Sequence, residues 1–181
     1  MTDRHKVFIS FHSDDQRHKN AFVRMMEDDI VDKSVHNKDI NDSDLKTETI
    51  RQTIRDDFIA DATVTVVLVG KCTWQRKHVD WEIGSSLRKT KKNPRCGLLG
   101  ILLPNHPNYK TRTFDRHLIP PRLADNCDKN YAHIYKWTNS PSIIRRRIHD
   151  AFLTKDNIDP DNSRQQFKRN RTSTCSQGWS E

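Results

Sequence analysis

The sequence predicts an α/β domain in which helices cover both faces of a parallel sheet. Three apolar runs show no alternation, as is typical of strands buried on both faces, and a shorter run follows them. These runs lie at residues 7–11, 64–69, 97–103 and 133–137. Between the runs, apolar residues recur every fourth position, as on one face of a helix. Strands that alternate with helices favour a parallel sheet with right-handed connections.

The first run is followed by a polar loop and then by a predicted helix. Ser13 or Asp14 is a suitable cap for this helix, because short polar side chains satisfy the free amides of a first turn. The helix would bury Phe22, Met25 and Met26. A short second strand near Val35 would bring the sheet to about five strands in a flavodoxin-like order.

Two further helices are predicted around the central strand. Thr47 would cap the first, which carries an apolar stripe of Ile50, Ile54 and Phe58. After Gly70, which ends the central strand, the second helix carries a stripe of Val79, Ile83 and Leu87. The central strand and this second helix are the unit around which we interpret the rest of the chain.

The strand at 97–103 is followed by a long connection at 105–130 that is rich in proline, asparagine and charge. Long connections of this kind are often functional or mobile. Ser140 and Pro141 then occupy an N-cap and a first helical position, and the helix would bury Ile144, Ile148 and Phe152. Beyond it no apolar period remains. We therefore expect a domain over residues 1–158 and a flexible polar tail over residues 159–181.

Composition restricts the class of protein more than its function. The 181 residues suit one domain, and hydrophobic and charged residues are nearly equal at 33% and 31%. The net charge of +8 favours phosphate-bearing partners but equally fits solubility alone. With no apolar leader and no run of membrane-spanning length, we expect a soluble, cytoplasmic protein. The four cysteines form no Cys-x-x-Cys pair, which predicts free thiols and neither a disulfide framework nor a zinc site.

Common nucleotide and hydrolase motifs are absent. Gly70-Lys71 resembles the end of a phosphate-binding loop, but the first glycine of that motif would fall at Thr65. No serine lies in a Gly-x-Ser-x-Gly elbow. The basic stretches 88–95 and 145–147 lack the interleaved aromatic residues of a nucleic-acid site, so nucleic acid is disfavoured as a partner.

The candidate site lies where the first and central strands end, because ligands of open α/β sheets bind outside the carboxyl ends of strands. Glu82, on the helix after the central strand, follows the aromatic Trp81 and precedes an apolar position. A helical glutamate is more often a solvated surface residue, and loop residues are more often simple caps. Residue types alone therefore do not decide between a functional site and ordinary surface and cap residues. The polar or aromatic residues that end the first strand are Ser10, Phe11, His12 and Asp15.

Five segments taken together resemble the TIR-like proteins of bacterial Thoeris anti-phage systems. The resemblance covers roughly residues 5–155, in order. It implies a TIR-like, flavodoxin-like three-layer sandwich around a central parallel sheet. The segments that carry it are residues 7–12, 65–70, 74–82 (WQRKHVDWE, with Glu82 last), 97–103 and 133–137.

The resemblance implies an enzyme that responds to phage infection and uses NAD as its substrate, with no further cofactor and no metal. It would cleave the nicotinamide–ribose bond and form a cyclic ADP-ribose isomer, a messenger that activates a separate NAD-depleting effector. Glu82 matches the essential glutamate of the family. Substrate-binding roles are implied for Ser10, Phe11, His12 and Asp15, and the ring of Trp81 or Phe11 would stack on nicotinamide or adenine.

Other classes of function compete with this interpretation. A non-catalytic TIR-like scaffold would act by self-association or by binding a partner, and would not need Glu82. A regulator of the response-regulator type would need an aspartate at the end of the central strand, where Gly70 stands. The resemblance further implies homo-oligomer formation and a phage protein as the trigger.

Overall fold

The computed structural model describes residues 4–33, 49, 56, 59–90 and 94–181. Its sheet has five parallel strands in the order β2-β1-β3-β4-β5. This order confirms the predicted flavodoxin-like α/β fold. The strands are β1 (His5–Phe11), β2 (Ile30–Asp32), β3 (Val64–Val69), β4 (Gly97–Leu102) and β5 (Ala132–Lys136).

Helices cover both faces of the sheet and complete the three layers. One face packs against α1 and α4, and the other packs against α2 and α3. Alternate residues of β3 serve the two cores: Val66 and Leu68 face the first layer, whereas Val67 and Val69 face the second. The described helices are α1 (Gln16–Met26), α2 (Lys77–Ser86), α3 (Pro121–Asp128) and α4 (Pro141–Thr154).

The helix predicted after the central strand is confirmed as α2. Its apolar stripe, Val79, Ile83 and Leu87, is buried in the core that also contains Val67 and Val69. The stripe fixes the rotation of the helix about its axis. Glu82, next to Ile83, therefore lies at the margin of the buried face.

The start of the chain differs from the prediction in two details. The loop after β1 forms a short 3-10 helix, Ser13–Asp15, which is capped by His12, and α1 begins only at Gln16. The second strand is a three-residue edge strand at Ile30–Asp32, earlier than the predicted position near Val35. A strand of only three residues is too short to show a recognisable pattern of apolar residues in the sequence. Val35 and the helix predicted around Ile50, Ile54 and Phe58 lie outside the described residues.

The predicted long connection at 105–130 contains a short 3-10 helix, Arg116–Leu118, and then α3. The sequence did not predict α3 because only two of its buried residues, Leu123 and Ala124, are apolar residues that a helical stripe would show. Arg122 and Asn126 are buried as well. Polar contacts hold much of this helix in place, and a search for a hydrophobic repeat cannot detect such contacts.

Residues 159–181 form no helix or strand but lie against the domain. Trp179 is only 4% exposed and donates its indole N–H to the carbonyl of Ile119 at 2.8 Å. The indole of Trp74 donates to the carbonyl of Cys175 at 3.0 Å. The boundary at residue 158 and the flexibility expected beyond it stay predictions, but the side chains of this C-terminal segment do not stand apart from the fold.

The prediction of four free thiols was wrong for one pair. Cys72, in the loop after β3, and Cys175, in the C-terminal segment, form a disulfide, whereas Cys96 and Cys127 are free. The two bonded cysteines are 103 positions apart in the sequence. Only the fold brings them together, so spacing rules could not pair them.

No helix in the described part of the chain combines the length and the apolar character needed to cross a membrane.

Candidate active site

The ends of β1 and β3 lie side by side, and α2, the helix after β3, packs next to them. Ser10 pairs with Val67 in the sheet register, and its side chain points towards α2 because side chains alternate along a strand. Its hydroxyl donates a hydrogen bond of 2.5 Å to Oε2 of Glu82. The end of β1 thus brings together two residues that lie 72 positions apart in the sequence.

Glu82 is a buried carboxyl group with only 9% of its surface exposed. Burial raises its pKa, because removing a carboxylate from water penalises the charged form. His78 and the Ser10 hydrogen bond both act in the opposite direction but do not cancel that effect. The site therefore holds a carboxyl group that gains from any positive charge placed beside it.

Glu82→Gln is expected to raise the melting temperature at pH 7. The native pKa of Glu82 is above its unfolded value, so its contribution to stability is present at low pH and is lost as pH rises between the two values. The glutamine has no charge to desolvate, so its advantage should shrink as pH falls towards 4. Thermal unfolding between pH 4 and 7.5 measures this difference. Glu27→Gln, at the exposed end of α1, is the control, and a constant gap between Glu82→Gln and wild type at all pH values would contradict the prediction.

His12 presents a hydrogen-bond donor without a partner. Its Nδ1 accepts the backbone N–H of Asp14 at 2.8 Å, which assigns the ring proton to Nε2 in the neutral form. That Nε2 is buried and has no hydrogen-bond partner among the described residues. Burial chiefly, and the charge of Arg76, lower the pKa of His12, so the ring is neutral near pH 7. A buried N–H without an acceptor is costly unless a ligand supplies one.

Asp15 lies directly against the end of β3. Its Oδ1 accepts a hydrogen bond of 2.7 Å from the side-chain amide of Asn105, in the loop after β4. A Cβ placed on Gly70 would lie 2.0 Å from Oδ2 of Asp15. Glycine ends this strand because the carboxylate occupies the space of a side chain. The contact links the loops that follow β1, β3 and β4.

Two basic residues of the site were not singled out from the sequence. His78 lies one turn before Glu82 on α2, and its Nε2 is 3.0 Å from the carbonyl oxygen of Phe11, to which it donates. Arg76 precedes α2, and its charge acts on His12. The i, i+4 spacing of His78 and Glu82 is visible in the sequence, but it equally fits two side chains that share a solvated helix face.

The structure does not bring the two candidate rings to this edge. Phe11 points to the opposite face of the sheet and packs in the core with Phe22 and Met26, so only its carbonyl reaches the site. Trp81 is buried against Phe8, and its indole donates to the carbonyl of Phe167 at 2.8 Å. Phe8 is two residues before Ser10, so its backbone lies about 7 Å further from the end of the strand than that of Ser10.

Within the described ranges, no three histidine, cysteine, aspartate or glutamate side chains are grouped so that they could hold a metal ion.

Comparisons with known proteins identify the family. The search of curated proteins found no match. Among solved structures, the chain is similar to the TIR domains in a structure titled as the activated Roq1 resistosome directly recognizing the pathogen effector XopQ. The identity is 15%, the match covers 84% of each chain, and the TM-score is 0.39.

The family model described as "Thoeris protein ThsB, TIR-like domain" matches residues 8–108, which is more than half of the chain. The matched region runs from β1 through β4 and includes every residue of the Ser10–Glu82 edge described above. The chain therefore belongs to the family of Thoeris ThsB proteins with a TIR-like domain.

Proposed function

We propose that this protein is a cytoplasmic enzyme that responds to phage infection by cleaving NAD at the nicotinamide–ribose bond and forming a cyclic ADP-ribose isomer. The product would act as a messenger for a separate effector that depletes NAD. The observation that carries the proposal is the buried Ser10–Glu82 pair at the carboxyl edge of the sheet, within the region that matches the family.

Glu82 has the properties that this cleavage needs. Nicotinamide leaves NAD as a neutral base, so no general acid is required, and positive charge develops on the ribose in an oxocarbenium-like transition state. A carboxylate held in a poorly solvated place stabilises such charge more than one in water does. Burial raises the pKa of Glu82 in the free protein, and the cationic substrate would favour its charged form. Ser10 would hold the carboxylate in one orientation.

His12 and Arg76 would position the rest of the substrate. The unpartnered Nε2–H of His12 is a donor for a ribose hydroxyl or a phosphate oxygen. Arg76 supplies a cation near it for the pyrophosphate. Asp15 would act through Gly70 and Asn105 as a residue that shapes the loops. The rings of Phe11 and Trp81 are no longer part of the proposal, because both are packed in cores.

Cyclisation requires that a second nucleophile on the substrate, a ribose hydroxyl or an adenine nitrogen, reaches the ribose carbon before water does. Holding the two ends of NAD close together in a site that excludes water supplies that advantage. NAD is the substrate in this scheme, and we propose no further cofactor and no metal. We also propose a phage protein as the trigger and self-association as part of activation.

The test is an infection experiment in cells that carry the partner effector. Small-molecule filtrates from infected cells with wild type, Glu82→Gln or Glu27→Gln are added to purified effector, and ADP-ribose species are measured by mass spectrometry. Filtrates from wild type and from the surface control Glu27→Gln should activate the effector. Loss of one electrostatic stabiliser typically costs about 100-fold or more in rate, so the Glu82→Gln filtrate should fall by at least about that factor.

Equal messenger from a folded Glu82→Gln variant would remove Glu82 from the mechanism. Protection of the cells without any activating small molecule would instead favour a scaffold that works by self-association.

A further inference from the structure

A polar cavity of about 360 Å³ lies on the outer side of α2. It is formed where the end of α2, the start of α3 and the C-terminal segment meet. Its walls contain four cationic side chains and three side-chain amides. The cations are Arg88, Arg122, Arg164 and Lys168, and the amides are Asn162, Gln165 and Gln166.

The charges of this cavity are only half neutralised. Asp80 pairs with Arg122 at 3.0 Å, and Asp125 pairs with Arg164 at 2.7 Å, but neither aspartate lines the cavity. Arg88 and Lys168 are exposed and make no ion pair with any described residue. None of the described residues in the wall carries a carboxylate, so about two positive charges face a space that can hold a small molecule.

Arg122 gives the cavity a rigid floor. Its side chain is 1% exposed and is held by Asp80, by Oδ1 of Asn162 at 2.8 Å and by the carbonyl of Arg164 at 2.8 Å. These contacts fix the guanidinium before any ligand arrives, which lowers the entropy cost of binding. Asp80 also accepts the backbone N–H of Phe167, the residue before Lys168, at 2.9 Å.

The cavity is separate from the Ser10–Glu82 edge. Gly84 is two residues after Glu82, which places it about 200° around the helix axis and therefore on the opposite face. A Cβ on Gly84 would lie 2.9 Å from Nε2 of Gln166 and 3.4 Å from Nε of Arg122. The absence of a side chain at Gly84 is what lets the C-terminal segment approach and form the wall.

We propose that this cavity binds a small soluble ligand that carries a pyrophosphate group. Two adjacent phosphates match the two uncompensated cations, which come from different parts of the chain and would each form charge-assisted hydrogen bonds. Gln165 and Gln166 can bond to the polar remainder of the ligand. The lining residues that the structure describes include no aromatic side chain, so they offer no stacking surface for the bases of single-stranded RNA.

Calorimetric titration with sodium pyrophosphate tests this proposal. The variant Arg88→Gln/Lys168→Gln removes both uncompensated charges. The matched control Lys110→Gln/Arg146→Gln removes two exposed cations elsewhere and leaves the same net charge. The first variant loses two charge-assisted hydrogen bonds to the phosphates, so it should bind at least about tenfold more weakly than wild type. The control should stay within about twofold.

Equal loss in both double variants would show non-specific attraction by net charge and would overturn the proposal, as would undetectable binding by wild type. A parallel titration with a 12-nucleotide RNA separates the two kinds of ligand. RNA binding that depends on Arg88 and Lys168, without pyrophosphate binding, would overturn the small-ligand assignment. Melting temperatures of the variants within about 2 °C of wild type establish that each is folded.

Discussion

Arg122→Met is expected to lower the free energy of unfolding by about 3–5 kcal/mol, the usual cost of removing one partner from a buried ion pair. Asp80 is 2% exposed and would lose the guanidinium opposite it, with no water to replace that partner. The same change removes the hydrogen bonds from Arg122 to Asn162 and to the carbonyl of Arg164. Urea unfolding followed by circular dichroism measures the loss.

The double variant Arg122→Met/Asp80→Asn separates the charge from the packing. With both charges gone, no uncompensated carboxylate remains, and the loss should be smaller than in Arg122→Met alone. Arg145→Met is the surface control, because the Arg145–Asp29 pair involves a half-exposed arginine and should contribute at most about 1 kcal/mol. An Arg122→Met variant as stable as this control would contradict the prediction.

Gly70→Ala is expected to cost about 1–3 kcal/mol, as is usual when a side chain is forced into occupied space. The new Cβ would lie 2.0 Å from Oδ2 of Asp15, so the carboxylate must move and its hydrogen bond with Asn105 must lengthen or break. The loops after β1 and β4 would shift with it. We therefore expect a loss of the proposed messenger synthesis that exceeds the loss of folded protein.

A double-mutant cycle with Asp15→Ala checks the cause. Asp15→Ala removes the group that collides with the new methyl, so Gly70→Ala should cost less in that background than in wild type. Thermal unfolding of the four proteins gives the coupling. An equal cost in both backgrounds would mean that the collision is not the origin of the effect.

The sheet could be predicted from the sequence because its strands are buried on both faces. Residues 64–69 and 97–102 have no polar alternation, and a run of that kind fits few other structures. The edge strand at Ile30–Asp32 and helix α3 could not be placed, because little of either is held by apolar packing. The Arg122 and Asn126 contacts that hold α3 reach residues 40 and 35 positions away in the sequence.

The candidate site was predicted in its position but only partly in its members. Strand ends of a parallel sheet converge, so the end of the first strand was expected to lie near the connection after the central strand, and Ser10 and Glu82 share a hydrogen bond there. Phe11 and Trp81 were assigned to the site because each is next to a site residue in the sequence, and this assumption was misleading. A strand sends neighbouring side chains to opposite faces, and a helix rotates them by about 100°, so each ring turns away from its polar neighbour.

The C-terminal segment docks to a large extent through its main chain. The indole of Trp81 binds the carbonyl of Phe167, and the side-chain amide of Gln75 binds the carbonyl of Ser173. Every residue type carries a carbonyl, so these contacts set no requirement for a phenyl or a hydroxymethyl group at the two positions. The segment can therefore diverge in sequence at such places and still occupy the same track on the domain. In this segment, relatives should be compared by the course of the backbone and not by sequence identity.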